Sequence, residues 1–310
     1  MKKKGFMLFL LFALFFTACG TEKNKTEGTN RLTVVTSFYP VYLLAQEVVQ
    51  GAEGIRLENM AQPQTGCLHD YELSVSDMKL LEQADVFIIN GGGMEGFLEQ
   101  ALERYPDLVV VDTSEGISLL EEEHHHHADE EAHTDEEEEG NSHIWLSPAR
   151  AARQAARIAE ALGALDAAEK EIFDRNATAF AAEADALLRE AAEVGIPQDT
   201  AAEVFHEGFA YFTELFRMEA VCGIFVDEYQ VPSAKELTEA ADEAKRHNIR
   251  FFLSAADDGR IYAETLARET GADVTVLDPL TTTAEGNPSY IERMRKNIET
   301  MAQHWKEAAK

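Results

Sequence analysis

Three histidines and one aspartate stand where a folded chain could gather them. His69 lies in Gly66-Cys67-Leu68-His69-Asp70-Tyr71-Glu72, and His143 opens His143-Ile144-Trp145-Leu146-Ser147-Pro148. His206 lies in Val204-Phe205-His206-Glu207-Gly208-Phe209, and Asp278 in Val276-Leu277-Asp278-Pro279-Leu280. Each falls at a loop junction: His69, His206 and Asp278 after β-rich runs, and His143 between an acidic loop and a helix start. In open α/β sheets, ligands bind outside the carboxyl ends of strands. Any one of these side chains alone reads more readily as structural. Together, three imidazoles and a carboxylate make a four-coordinate set suited to zinc. Manganese is the weaker alternative, because it favours sites richer in carboxylate, and iron is a further one. The remaining histidines outside the loop described next, His247 and His304, sit on amphipathic stretches among charges and read as solvated.

A second concentration of donors runs from Glu121 to Glu139, with five histidines and eleven carboxylates in nineteen residues. His124, His125, His126 and His127 are consecutive and His133 follows among acids, and no hydrophobic residue larger than alanine interrupts the stretch. Such a stretch cannot bury enough surface to offset the entropy of ordering, so a loop is expected. Its chemistry is that of an accessory collector of divalent cations, weak and fast-exchanging. The plainer reading is a solvated acidic linker.

Other chemistries fit less well. A zinc hydrolase needs an open metal position and a general base. Glu207 could be cast as that base, but Asp278 as a fourth ligand closes the site, and no enzyme is expected. Gly91-Gly92-Gly93 lacks both the lysine of a phosphate loop and the dinucleotide-binding glycine spacing.

The 310-residue chain opens with Lys2, Lys3 and Lys4, then the apolar run Phe6 to Phe16, then Phe16-Thr17-Ala18-Cys19-Gly20. The run is too short to span a bilayer and has the charge layout of a signal peptide. Small residues before a cysteine resemble a bacterial lipobox, so residues 1–18 are expected to be cleaved and Cys19 lipidated. Residues 19–31 form a polar tether. Loss of three lysines and no acid takes the formal charge from −30 to −33. Such a surface repels nucleic acid and anionic membrane and attracts cations. Cys67 and Cys222 lie far apart in sequence, one expected in each half, which argues against a disulfide framework.

The elements that must position these donors alternate between β-rich runs and helical periodicity, the pattern of parallel α/β sheets. The first half gives strands at Leu32–Thr36, Ile55–Met60, Val86–Asn90 and Leu108–Asp112, with helices at Val41–Gln50, Ser76–Gln83 and Met94–Tyr105. Ser147-Pro148 reads as an N-cap and first helical position, opening a helix that runs to Leu162 and breaks at Gly163. Asp166 to Val194 reads as one long helix. Strands then recur at Ala202–Phe205, Ala220–Phe225, Ile249–Leu253 and Asp273–Leu277. The helices between and after them are Phe209–Phe216, Ser233–His247, Arg260–Glu269 and Ser289–Lys306. The expected fold is α/β: two (βα)4-type lobes with parallel sheets, 32–165 and 195–310, joined by a backbone helix over 166–194. The acidic loop, 121–142, belongs to the first lobe.

The ordered motifs resemble one family across the whole mature chain. Thr36-Ser37-Phe38-Tyr39-Pro40, His69-Asp70-Tyr71-Glu72, His143-Ile144-Trp145-Leu146-Ser147-Pro148, His206-Glu207-Gly208-Phe209-Ala210-Tyr211-Phe212 and Leu277-Asp278-Pro279-Leu280 are similar, in order, to motifs of one group of solute-binding proteins. These are the zinc/manganese-specific (cluster A-I) solute-binding lipoproteins of metal ABC transporters. A histidine-rich acidic loop before the second ligand motif is typical of the zinc-specific members. The resemblance implies two lobes with the metal in the cleft between them, bound by His69, His143, His206 and Asp278. It implies a monomeric extracytoplasmic receptor, lipid-anchored to the outer face of the bacterial cell membrane, that delivers Zn2+ to a membrane permease. An adhesin-like surface lipoprotein is the alternative outside transport. Two positions depart from the family: Leu68 replaces the usual proline before the first histidine, and Ser254-Ala255-Ala256-Asp257 replaces a stretch where relatives carry a glutamate.

Overall fold

The computed structural model describes residues 31–62, 68, 71–121, 140–222, 232–256 and 259–308. Strands β1 (Leu32–Thr36), β2 (Ile55–Asn59), β3 (Val86–Ile89) and β4 (Val109–Asp112) form a parallel sheet in the order β2-β1-β3-β4. Strands β5 (Ala201–Val204), β6 (Glu219–Cys222), β7 (Phe251–Ala255) and β8 (Asp273–Leu277) form a second parallel sheet in the order β6-β5-β7-β8. The two halves therefore repeat one topology. The central strands are near-continuous apolar runs, as strands covered on both faces must be. Val34 and Val35 of β1 and Val86, Phe87 and Ile88 of β3 are fully buried. On β4, the last strand in that order, Val109 and Val110 are exposed.

Helices α1 (Tyr39–Val49), α2 (Val75–Gln83) and α3 (Glu99–Leu102) belong to the first half. Helices α4 (Pro148–Leu165) and α5 (Lys170–Glu193) follow, and α6 (Phe209–Phe216), α7 (Ala234–Arg246), α8 (Arg260–Thr270) and α9 (Tyr290–Ala308) belong to the second. Capping chemistry fixes several starts. Ser74 and Asp77 form a capping box on α2, Ser233 and Glu236 form one on α7, and Ser147 caps α4 ahead of Pro148.

The backbone helix is α5, and its packing face is legible residue by residue. Phe173, Ala177, Phe180, Ala184, Leu187 and Ala191 are buried, alternating four- and three-residue steps along one stripe. The stripe meets α4, α1, α9 and α6. One apolar cluster runs from Val34 of β1 through Trp145, Phe180 and Leu253 to Met301 of α9, so both sheets share a core.

Several elements differ from their sequence expectations. The helix expected over Met94–Tyr105 is a 3-10 turn at Gly96–Leu98 followed by the single turn α3. Its first residues are committed to a loop instead: Glu95 folds back and accepts from the amides of Asn90 and Gly91 at 2.8 and 3.0 Å. Those are amides that a phosphate would otherwise need, so the glycine run is already filled by this carboxylate. Gly163 does not end α4, which continues to Leu165, and α5 starts at Lys170 rather than Asp166. A Cβ at Gly163 would stand 2.9 Å from Cγ of Lys170, so glycine permits close packing there and its propensity cost is absorbed. Strand β7 begins two residues later than expected. The Ile249 amide still bonds to the carbonyl of Ala244 at 2.9 Å, and Asn248 turns with φ of 52°. The last three residues of the strand expected at Ala220–Phe225 lie outside the described residues.

Candidate metal centre

His206 follows β5 by two residues, at the carboxyl edge where the order of the second sheet reverses. Crevices at such reversals are the usual ligand sites of open parallel sheets. His143 precedes a 3-10 turn, Ile144–Leu146, that leads into α4, and it is fully buried. The fold brings these two histidines face to edge, with ring centroids 4.9 Å apart and planes at 81°. Gly208 makes the approach possible. A Cβ there would lie 2.7 Å from Cδ1 of Leu146 and 2.8 Å from Cβ of His143.

The ring of His143 is held by two acceptors. Its Nδ1 lies 3.0 Å from Oε1 of Glu207 and 3.1 Å from Oδ1 of Asn141. A carboxylate and an amide oxygen both call for a proton on Nδ1, which in the neutral ring puts the lone pair on Nε2. The amide of Asn141 is itself fixed in orientation. Oδ1 accepts from the His143 amide at 3.0 Å, and Nδ2 donates to the carbonyl of Glu207 at 3.0 Å. Behind it, the Tyr211 hydroxyl donates to the Asn141 carbonyl at 2.5 Å and accepts from the Leu120 amide at 2.9 Å. Leu120 and Asn141 also form an antiparallel bridge, so the two ends of the acidic stretch are pinned together beside His143. At His206 the polarity is reversed, because Nδ1 accepts from the Gly208 amide at 3.2 Å.

Asp278 follows β8, half-buried, and its carboxylate takes a two-pronged ion pair from Arg293 of α9 at 2.6 and 2.7 Å. The next residue joins it to the histidine turn: Trp145 Nε1 donates to the Pro279 carbonyl at 2.9 Å, and the Trp145 ring lies 4.9 Å from that of His143. The Tyr290 hydroxyl secures the same tryptophan through its carbonyl at 2.6 Å. Among the described residues, no three histidine, cysteine, aspartate or glutamate side chains are arranged to hold an ion by themselves. His69, Cys67, the loop histidines His124, His125, His126, His127 and His133, and the lipidation residue Cys19 lie outside the described residues. His247 is more than a third exposed beside Glu243 on α7, as its solvated reading expects.

Sequence reasoning passed over Asn141, Gly208, Tyr211 and Arg293. Asn141 and Gly208 flank histidines and could have been suspected. Arg293 carries no such mark, because an arginine on a charged amphipathic helix reads as solvent-facing until the fold buries it.

Comparisons with known proteins identify a family and several relatives. Residues 34–304 match the family model described as the zinc-uptake complex component A, periplasmic. The zinc-binding lipoprotein AdcA of Streptococcus pneumoniae serotype 4 is 29% identical over 312 residues, covering 98% of this chain and 61% of that protein. The chain thus spans less than two thirds of this streptococcal relative. The high-affinity zinc uptake system protein ZnuA of Bacillus subtilis is 29% identical over 318 residues, 97% of this chain and 98% of that one. Among solved structures, the laminin-binding protein Lmb of Streptococcus agalactiae superposes with a TM-score of 0.73 at 27% identity, over 88% of this chain and 99% of that one. That protein is described as bifunctional, with adhesin and metal transporting activity.

Proposed function

The chain belongs to the family of the zinc-uptake complex component A, and on that premise we propose that it is an extracytoplasmic zinc receptor of an ABC-type uptake system. It captures Zn2+ and delivers it to a membrane permease. It acts as a monomer held to the outer face of the cell membrane by a lipid on Cys19, and it catalyses no reaction. The cation is cargo, bound by His69, His143, His206 and Asp278. The observation that carries this reading is the juxtaposition of His143, in the turn before α4, and His206, just after β5, with ring centroids 4.9 Å apart. Neutral imidazole is the donor zinc prefers, and a fourth protein ligand closes the site against hydrolytic chemistry.

The lobes are proposed as 32–165 and 195–310, with 166–194 as the bridging helix. The shared core beneath α5 favours cargo release by small local rearrangement over a wide hinge. The stretch Glu121–Glu139 is proposed as a collector that raises the local cation concentration beside His143. Calorimetry of full-length protein and a variant lacking 121–139 tests this division. The variant is expected to keep one tight zinc site and lose the weak ones. Loss of the tight site on deletion would refute it. His206→Ala is expected to abolish the tight site. Surface adhesion is a second reading, favoured by the description of Lmb. Undiminished growth of a deletion strain under zinc chelation would favour it over uptake.

A further inference from the structure

The carboxylate of Asp278 is already largely occupied. Oδ1 accepts from Arg293 Nη2 at 2.6 Å and from the Leu280 amide at 2.8 Å, while Oδ2 accepts from Arg293 Nε at 2.7 Å. A carboxylate offers about four lone-pair positions. Three donors therefore leave one, on Oδ2. The backbone of Asp278 is equally fixed: Asn297 accepts from its amide at 2.9 Å and donates to its carbonyl at 2.8 Å.

Arg293 is not free to leave. Its side chain is only 3% exposed, and Nη1 donates to the Thr282 carbonyl at 2.8 Å. The ring of Tyr39 lies 5.8 Å from its guanidinium carbon. Moving the guanidinium off Asp278 would strand a buried charge, which proteins tolerate poorly. An ion approaching Asp278 therefore meets a carboxylate whose fork geometry is spent on arginine.

We infer that Arg293 is a selectivity-determining positioning residue: by engaging both Asp278 oxygens it restricts that carboxylate to a one-oxygen contact through Oδ2. Zinc is satisfied by four ligands, one oxygen from such a carboxylate included. Manganese favours six oxygen-rich contacts and gains from a chelating carboxylate, which this arrangement withholds. The restriction thus favours zinc in a site whose other donors are imidazoles. The inference rests on the proposed role of Asp278 as the fourth ligand.

The test compares Zn2+ and Mn2+ affinities of the full-length wild type, Arg293→Lys and Arg293→Gln by chelator competition, with melting curves as the fold control. X-ray absorption at both metal edges gives the coordination number. Lysine keeps the charge but donates from one nitrogen, releasing one carboxylate position. Both variants are expected to narrow the zinc-to-manganese affinity ratio by about tenfold, the lower end of effects seen for groups that orient ligands. An unchanged ratio in folded Arg293→Lys overturns the inference. Should neither variant fold, a zinc-loaded wild-type crystal structure decides. Asp278 bound through Oδ2 alone with the arginine fork intact supports the inference, and a chelating Asp278 overturns it. Asp278→Ala separates the two levels. If it leaves zinc affinity unchanged, the ligand role of Asp278 fails and takes the inference with it. If it weakens zinc while the Arg293 variants keep the wild-type ratio, only the inference fails.

Discussion

The Nδ1 atom of His143 lies 3.0 Å from a carboxylate oxygen of Glu207, the residue directly after His206. One candidate ligand is thus oriented by the neighbour of another, and the turn before α4 is tied to the turn after β5. The contact selects the tautomer of His143 and aims its Nε2 lone pair away from Glu207. It also makes Glu207 a partner of the His143 ring.

Replacing Glu207 by alanine is expected to weaken zinc binding about 10- to 100-fold, the range typical of groups that orient a ligating histidine. Glu207→Gln keeps an acceptor near Nδ1 and is expected to lose less. Chelator competition measures both. Equal affinity in wild type and Glu207→Ala would show that the contact orients nothing.

Gly208→Ala places a methyl group 2.8 Å from Cβ of His143. The two histidine turns must then separate, at a cost of about 1–3 kcal/mol for overpacking. A lower melting temperature is expected, together with weaker zinc binding, because the spacing of His143 and His206 is what changes. A drop in melting temperature with unaltered zinc affinity would place the strain elsewhere.

Zinc loading should be readable at the Gly208 amide. That N–H donates to Nδ1 of His206 at 3.2 Å. If the cation takes the lone pair on Nδ1, the acceptor is consumed. If it takes Nε2, the proton moves to Nδ1 and the acceptor is lost as well. Either way a marked change in the Gly208 amide resonance is expected on titration with zinc. A static resonance alongside tight binding would exclude His206 as a ligand in this ring position.

Glu203 predicts a pH effect on stability independent of metal. It is fully buried on β5, and among the described residues neither carboxylate oxygen has a hydrogen-bond partner. Burial, with a smaller contribution from Glu243 on α7, raises its pKa from 4.5 to about 8. Between those values the native state holds a proton that the unfolded chain has released, so this group makes stability fall as pH rises from about 4.5 to about 8. Glu203→Gln is expected to melt higher than wild type above pH 8, by on the order of 2 kcal/mol or more for an ionised group without a partner. Near pH 5 the two should melt alike. Parallel curves across the range would mean that Glu203 is ionised throughout.

Much of the architecture was legible before the fold. β1 and β8 run between the residues expected, because β-branched runs bounded by turns specify a buried strand. Ser147-Pro148 opened its helix as capping chemistry requires. The elements that were displaced yielded to contacts beyond their own sequence. Glu95 turned inward to cap a glycine loop, and Gly163 stayed helical because Lys170 packs where a side chain would be.

The amino-acid sequence by itself determined the donor types, their order along the chain and the loop junctions on which they fall, since periodicity and turn chemistry are local properties. It could not determine which donors meet, or in what protonation state. The pairing of His143 with His206 spans 63 positions and exists only because two sheets share one core around Trp145. The tautomer of His143 depends on Glu207 and Asn141, and the reach of Asp278 depends on an arginine fifteen residues later that becomes buried only when α9 docks. Such contacts depend on tertiary packing, because hydrogen bonds act over about 3 Å and no local pattern specifies which distant groups come that close.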